Sequence, residues 1–225
     1  PYQGFLFKNL NWQDLPPEAM GIISNAFEGK GEVTPRVWLV SEDRTRNTRV
    51  ALRHKGQVQE AQGLIGLGAG EARVTGIDQT LVKGRWLTEE DRHAVLLSER
   101  MAGNLGIDPL RPQGAVVMLW GTPFDVVGIF SGDKFEKRLD LDGEFLTPVT
   151  FPSEVSMGRT EADIEAAESG EDVQAFQSQY RHVSGDLTVI IPYRTLLAAG
   201  GRLKSLAVRP QSLTNMEAEA KDLTD

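Results

Sequence analysis

The chain has 225 residues, no cysteine and a formal net charge of −8, from 32 acidic and 24 basic side chains. That balance argues against a nucleic-acid surface, which needs clustered Lys and Arg, and disfavours adhesion to anionic lipid, while the missing thiols exclude disulfides, zinc–thiolate sites and cysteine catalysis. A hydrophobic content of 40% and a charged content of 25% suit one sizeable core or two small lobes, and no apolar run approaches the ~20 residues of a membrane span.

Phe5 to Leu10 suits a strand, and Leu15-Pro16-Pro17 opens a helix whose apolar face is Met20, Ile22, Ile23 and Phe27. Gly29 to Gly31 stops that helix, and Val33 to Val40 returns as a strand. A connection this long permits a parallel strand pair with a right-handed crossover. Ser41 to Asn47 is polar, a passage between lobes. Thr48 to His54 and Gln57 to Gly63 form a hairpin turning at Lys55-Gly56. The run Gly63-Leu-Ile-Gly66-Leu-Gly68-Ala-Gly70 invites a phosphate-binding reading. A dinucleotide fingerprint needs a strand before it and a helix directly after it, whereas Glu71 to Gly76 leads into an expected strand at Val74 to Ile77, so a turning loop is expected.

Gly84 and the cluster Thr88-Glu89-Glu90-Asp91 mark a turn before a buried strand at Ala94 to Leu97. Ser98 is placed to cap a short helix carrying Met101, Ala102 and Leu105, and Gly106 supplies a left-handed stop. Ala115 to Trp120 and Phe124 to Phe130 read as a hairpin turning at Gly121-Thr122-Pro123. Ser131 to Glu144 is highly charged. Its Asp140-Leu-Asp142-Gly-Glu144 does not complete a calcium loop, and a solvated turn is expected there. Phe145 to Pro152 suits an edge strand or linker, and Thr160 to Tyr180 suggests two short surface helices or a mobile insertion. Gly185 to Pro192 is a strand, Tyr193 to Gly200 a helical turn and Leu203 to Val208 a further strand, after which Ser212 or Thr214 caps a last helix.

The chain offers no assigned catalytic, cofactor-binding or metal-binding residue. His54, His93 and His182 sit in separate polar segments without paired spacing. Serines are many, but no Gly-x-Ser-x-Gly elbow occurs. Trp12, Trp38, Trp86 and Trp120 suit core packing more than a sugar-binding groove, and Arg85 with Asp91 suits a hydrogen-bonded loop. Two other classes stay open: a secreted carbohydrate- or peptide-binding module, which requires exposed tryptophans, and a carboxylate-dependent hydrolase, which requires two acids converging in a cleft.

The ends mirror each other, strand–helix–strand first and strand–turn–strand–helix last. They fit one α+β lobe from both ends, with the strand-rich middle inserted as a second lobe. The ordered residues Val74-x-Gly76-Ile77, Gly84-Arg85, Asp91, Val95-Leu96-Leu97-Ser98-Glu99, Ala102, Leu105-Gly106, Gly114 and Phe124-x-Val126-Val127-Gly128-Ile129 carry a further signal. In that order they resemble the extracytoplasmic core domain of MacB-like ABC transporter permeases, within the wider FtsX-like group.

The resemblance implies a porter-like lobe from residues 1–42 and 186–225 and a Sabre-like lobe from 43–185. It also implies one more strand beyond the last helix than the sequence carries. The start at Pro1, without an initiator Met, suggests a fragment cut from between two membrane helices, on the periplasmic face of the cytoplasmic membrane. By the same resemblance the domain has no enzymatic activity and needs no cofactor. Its implied partners are a cognate ABC ATPase acting through the membrane helices, a second permease copy, and a periplasmic adaptor or a lipoprotein; nucleic acid is not one.

Overall fold

The structure is a computed structural model that describes residues 4–9, 13–40, 50–150 and 180–211. Strand β1 (Phe5–Lys8) leads to α1 (Glu18–Ala26), which begins after Pro17, and to the long β2 (Gly31–Val40). Of the expected apolar face of α1, Ile23 and Phe27 are buried, but Ile22 points outward and is exposed, because the helix covers the sheet with a narrow stripe. The hairpin of β3 (Val50–His54) and β4 (Gln57–Ala61) turns at Lys55-Gly56, both at positive φ.

The glycine-rich run differs from expectation. Gly63–Leu67 is a fully buried strand, β5, not a loop, and after a turn Glu71–Thr75 is the short helix α2. Val74 to Ile77, expected as a strand, instead ends α2 and enters a 3-10 turn at Ile77–Thr80, because Gly76 takes the left-handed conformation that closes a helix. Then come β6 (Leu81–Gly84), β7 (Ala94–Ser98), α3 (Glu99–Asn104), β8 (Val116–Leu119), β9 (Thr122–Phe130) and α4 (Gly132–Glu136). Ser98 caps α3 by accepting from the Met101 amide at 3.1 Å, and Gly106 has φ +72, both as expected.

Beyond Phe145 the two-residue strands β10 (Val149–Thr150) and β11 (Arg181–His182) pair with each other, apart from the main sheet. The segment Thr160 to Gln179 and the last helix lie outside the described residues. A 3-10 turn at Gly185–Leu187 shortens the next strand to β12 (Thr188–Pro192), followed by α5 (Tyr193–Ala198) and β13 (Arg202–Pro210). Among the described residues no helix is long and apolar enough to cross a membrane.

Eleven strands form one mixed sheet in the order β1-β13-β2-β5-β12-β7-β9-β8-β3-β4, with β6 also paired to β9. The strand–helix–strand unit at the start is therefore split. β1 and β2 run in the same direction but do not touch, because β13 from the far end of the chain lies antiparallel between them.

The central strands are buried on both faces. Along β5, β7 and β12, alternate side chains go to two separate cores: Leu64, Val95, Leu97, Val189 and Ile191 to one, and Ile65, Leu67, Ala94, Leu96 and Ile190 to the other. The first core is closed by α1, α3 and α5 through Ile23, Phe27, Met101 and Leu196, and the second by Ile77 and Phe135. Helices on both faces explain why these short strands read as continuous apolar runs.

Candidate functional site

The most organised polar feature is buried. Arg36, on β2, is 1% exposed, and alternation along the strand sends it to the face where α2 packs. Its Nη2 donates to Glu71 Oε1 at 2.9 Å and its Nη1 to Asp140 Oδ2 at 2.6 Å. Glu71 begins α2, is fully buried, and also accepts from the Thr75 hydroxyl at 3.0 Å. Asp140 follows α4 in the charged loop, where its Oδ1 accepts from the Leu141 amide at 2.6 Å. The expected solvated turn is thus only partly solvated: the Asp140 side chain is 5% exposed and turned inward onto Arg36.

Around this triad, further ties run between the same elements. Lys8 of β1 pairs with Asp142, and Glu32 of β2 takes both Nε and Nη2 of Arg73 on α2. Arg209 of β13 donates to the Arg73 carbonyl at 2.6 Å. Each of these contacts joins a strand from one end of the chain to α2 or to the 140–142 loop of the middle. The result is an ionic seam.

One guanidinium faces two buried carboxylates there. Burial disfavours the Arg36 cation, but Glu71 and Asp140 outweigh it and its pKa is raised. Burial lifts the Asp140 carboxyl above the usual range against the opposing pull of Arg36, with Glu71 and Asp142 adding to the rise. Sequence inspection missed Arg36 because its partners lie far away in the chain; the one local hint was an arginine inside an otherwise apolar strand.

The residues weighed from sequence do not converge. His54 Nδ1 lies 2.8 Å from the Val116 carbonyl, His93 stacks edge-on to Phe124, and His182 contacts Thr147 between Phe145 and Tyr180. No group of three His, Asp or Glu placed to hold a metal occurs among the described residues. Trp38 is buried, Trp86 donates to the Gly68 carbonyl at 3.2 Å, and Trp120 is 43% exposed at a hairpin tip, so these three share no groove; Trp12 lies outside the described residues. Arg85 and Asp91 form a two-pronged ion pair at 2.6 and 2.8 Å, and Asp91 also accepts from the Thr88 amide, closing the loop. Although a short helix follows β5, Glu32 occupies the space beside Gly70 where a phosphate would need to approach.

The described residues thus form a mixed α+β domain with a large sheet, and an ionic seam joins its end strands to α2 and the 140–142 loop. A family model described as the MacB-like periplasmic core domain matches residues 8–183. The chain belongs to this family, the periplasmic domain of ABC transporter permeases, which is not a known enzyme class. Two solved structures share the fold. The periplasmic region of MacB from Actinobacillus actinomycetemcomitans has a TM-score of 0.53 at 19% identity, covering 97% of this chain and 72% of that one. The extracellular domain of the ABC-type transporter YknZ from Gram-positive bacteria has a TM-score of 0.51 at 15% identity, covering 95% and 86%. No curated protein matches the sequence significantly.

Proposed function

We propose that this chain relays ATP-driven movement across a membrane as a rigid extracytoplasmic body within an ABC transporter permease. Residues 1–42 and 186–225 form the porter-like lobe, continuous with two membrane helices, and 43–185 form the Sabre-like lobe. A cognate ATPase hydrolyses ATP on the other side, a second permease copy faces this one, and a periplasmic adaptor or a lipoprotein meets the outer surface. The domain itself performs no chemistry.

The observation that carries this reading is the seam. Its ion pairs tie β1 and β2, and the Arg209 hydrogen bond ties β13, to α2 and the 140–142 loop, so a displacement applied to the end strands moves the middle with them. The register adds support. Phe5 lies opposite Val208 and Gly31 opposite Pro210, so the described ends of the chain leave the sheet side by side, as two anchoring helices require.

The test uses the full-length permease with its ATPase in liposomes. Spin labels at the exposed Glu28 and Gln57 should keep one mutual distance with and without ATP, while each changes its distance to a membrane helix. A change in the Glu28–Gln57 distance itself, or the absence of apolar spans flanking this region in the parent chain, overturns the relay.

A further inference from the structure

The second core covers only part of its sheet face. Over the first half of β9 and over β8, β3 and β4, one face is packed and the other is bare. Val117, Leu119, Leu52 and Phe124 are buried, and the residues between them are not. The register sets Val58, Arg53, Met118 and Pro123 abreast across four strands on the bare side, with Val116 abreast of Asp125 next to them. Val58, Val116 and Met118 are exposed apolar side chains. Beside them lies a cleft of about 400 Å³ lined by Arg53, Lys55, Asp108, Arg111, Val116 and Met118, among others.

We infer that this bare face is a docking surface for an acidic, apolar-bearing segment of a partner protein. The charge balance points there. In a chain of net charge −8 the cleft presents Arg53, Lys55 and Arg111 against Asp108; Arg111 and Asp108 pair with each other at 2.9 Å, which leaves Arg53 and Lys55 as the cations the cleft offers. Asp125 and Glu60 border the face and limit it to a partner whose carboxylates align with the cleft.

The two hairpin tips that bracket the face give a second sign. Lys55 and Trp120 occupy left-handed positions, φ +43 and +53, each followed by a glycine. Asn or Gly fits such a site, and another residue there costs roughly 1–2 kcal/mol. A long cation and a partly exposed indole are held at both tips despite that cost.

Charge separates a protein from a lipid surface here, since a chain of net charge −8 is disfavoured on anionic lipid. β8 stands seven strands from β1 in the sheet order, roughly 30 Å at ~4.8 Å per strand. On the reading proposed above, β1 carries the anchor, so the face lies that far along the sheet from it.

The test is a titration of the 225-residue domain with three short synthetic peptides alternating leucine with glutamate, serine or lysine. Trp120 emission reports binding, with Trp120→Phe as the blank, and amide shifts locate it. The glutamate peptide should bind about tenfold or more tighter than the lysine peptide and weaken with salt. It should lose that margin in Arg53→Glu/Lys55→Glu, whose melting temperature should match the wild type because both side chains are exposed. Equal affinity for the three peptides, or shifts away from β3, β8 and β9, overturns the proposal. So does self-association abolished by Met118→Glu, which marks an interface between copies, or preferential binding to phosphatidylcholine–phosphatidylglycerol vesicles. Failure here leaves the relay standing, since the Glu28–Gln57 distance test does not use this face.

Discussion

Replacing Arg36 with methionine removes the cation that, among the described residues, contacts two buried carboxylates, and the size of the effect follows from their options. Left charged and unpaired, Glu71 and Asp140 pay desolvation, and breaking a buried pair in this way costs about 3–5 kcal/mol. Taking up a proton instead costs an ordinary carboxylate of pKa near 4 about 4 kcal/mol at neutral pH, at roughly 1.4 kcal/mol per pH unit. The cheaper route caps the loss, so Arg36→Met should cost about 4 kcal/mol, a large share of a stability of about 5–15 kcal/mol. Because the variant folds with a carboxylate protonated, its deficit should shrink by roughly 1.4 kcal/mol for each unit the pH falls towards about 5. Urea unfolding at both pH values measures the change in midpoint at constant slope. A deficit under about 1 kcal/mol at neutral pH, or one independent of pH, would refute the buried-triad account.

Asp140 tests the same junction from the other side. Burial raises its folded pKa, so its contribution is fully present below the unfolded value of 3.8 and is lost as pH rises through the folded one. The stability of wild type relative to Asp140→Asn should therefore fall between acid and neutral pH in thermal melts, and a flat difference contradicts the shift. Asp91 has the opposite sign. The Arg85 hydrogen bond holds its carboxyl below the usual range, so the benefit exists above 3.8 and is lost as pH falls through the folded value. With its Arg85 side chain about half exposed, the pair should be worth only about 0.5–1 kcal/mol, measured as the neutral-pH cost of Asp91→Ala. Gly128→Val should cost about 2–3 kcal/mol and expose the β6 amides to hydrogen exchange, because a Cβ there meets the Arg85 carbonyl at 2.6 Å and Gly84, across the pair, sits at φ +87. Ser98→Ala should cost about 1–2 kcal/mol in urea unfolding, since the hydroxyl caps α3 and donates to the Asp186 carbonyl at 2.7 Å.

What the sequence revealed was local. The Lys55-Gly56 turn, the Ser98 cap, the Gly106 stop and the β8–β9 hairpin each depend on residues within a few positions of one another, and each forms as expected. The family-bearing dipeptides have a physical cause as well, although it acts between distant positions. Gly84-Arg85 and Val127-Gly128 face each other in the β6–β9 pairing, where the backbones come too close for side chains at the two glycines. The expectations that failed involve competition over longer range. Val74 to Ile77 has strand-like composition, but Gly76 and the packing of Ile77 into the second core bend it into helical turns. Ile22 matches the helical period yet faces outward, because how much of a helix is covered depends on the sheet beneath it and not on the helix.

The ionic seam was hidden for the same reason, and its composition bears on what the domain does. Arg36 and Asp140 are 104 positions apart, Arg36 and Glu71 are 35, and Lys8 and Asp142 are 134, so no window of sequence holds both partners. Apolar residues at these positions would hold the segments together at no greater cost, since exchanging a buried ion cluster for packed hydrocarbon is often neutral or stabilising. What charge adds is direction. A forked guanidinium bound to two carboxylates accepts one angle of approach, whereas an apolar patch tolerates sliding. A body that transmits rotation benefits from a joint fixed in angle as well as in contact. On the relay proposed above, a polar junction at the seam with apolar packing on both faces of the sheet beside it is the arrangement that role calls for.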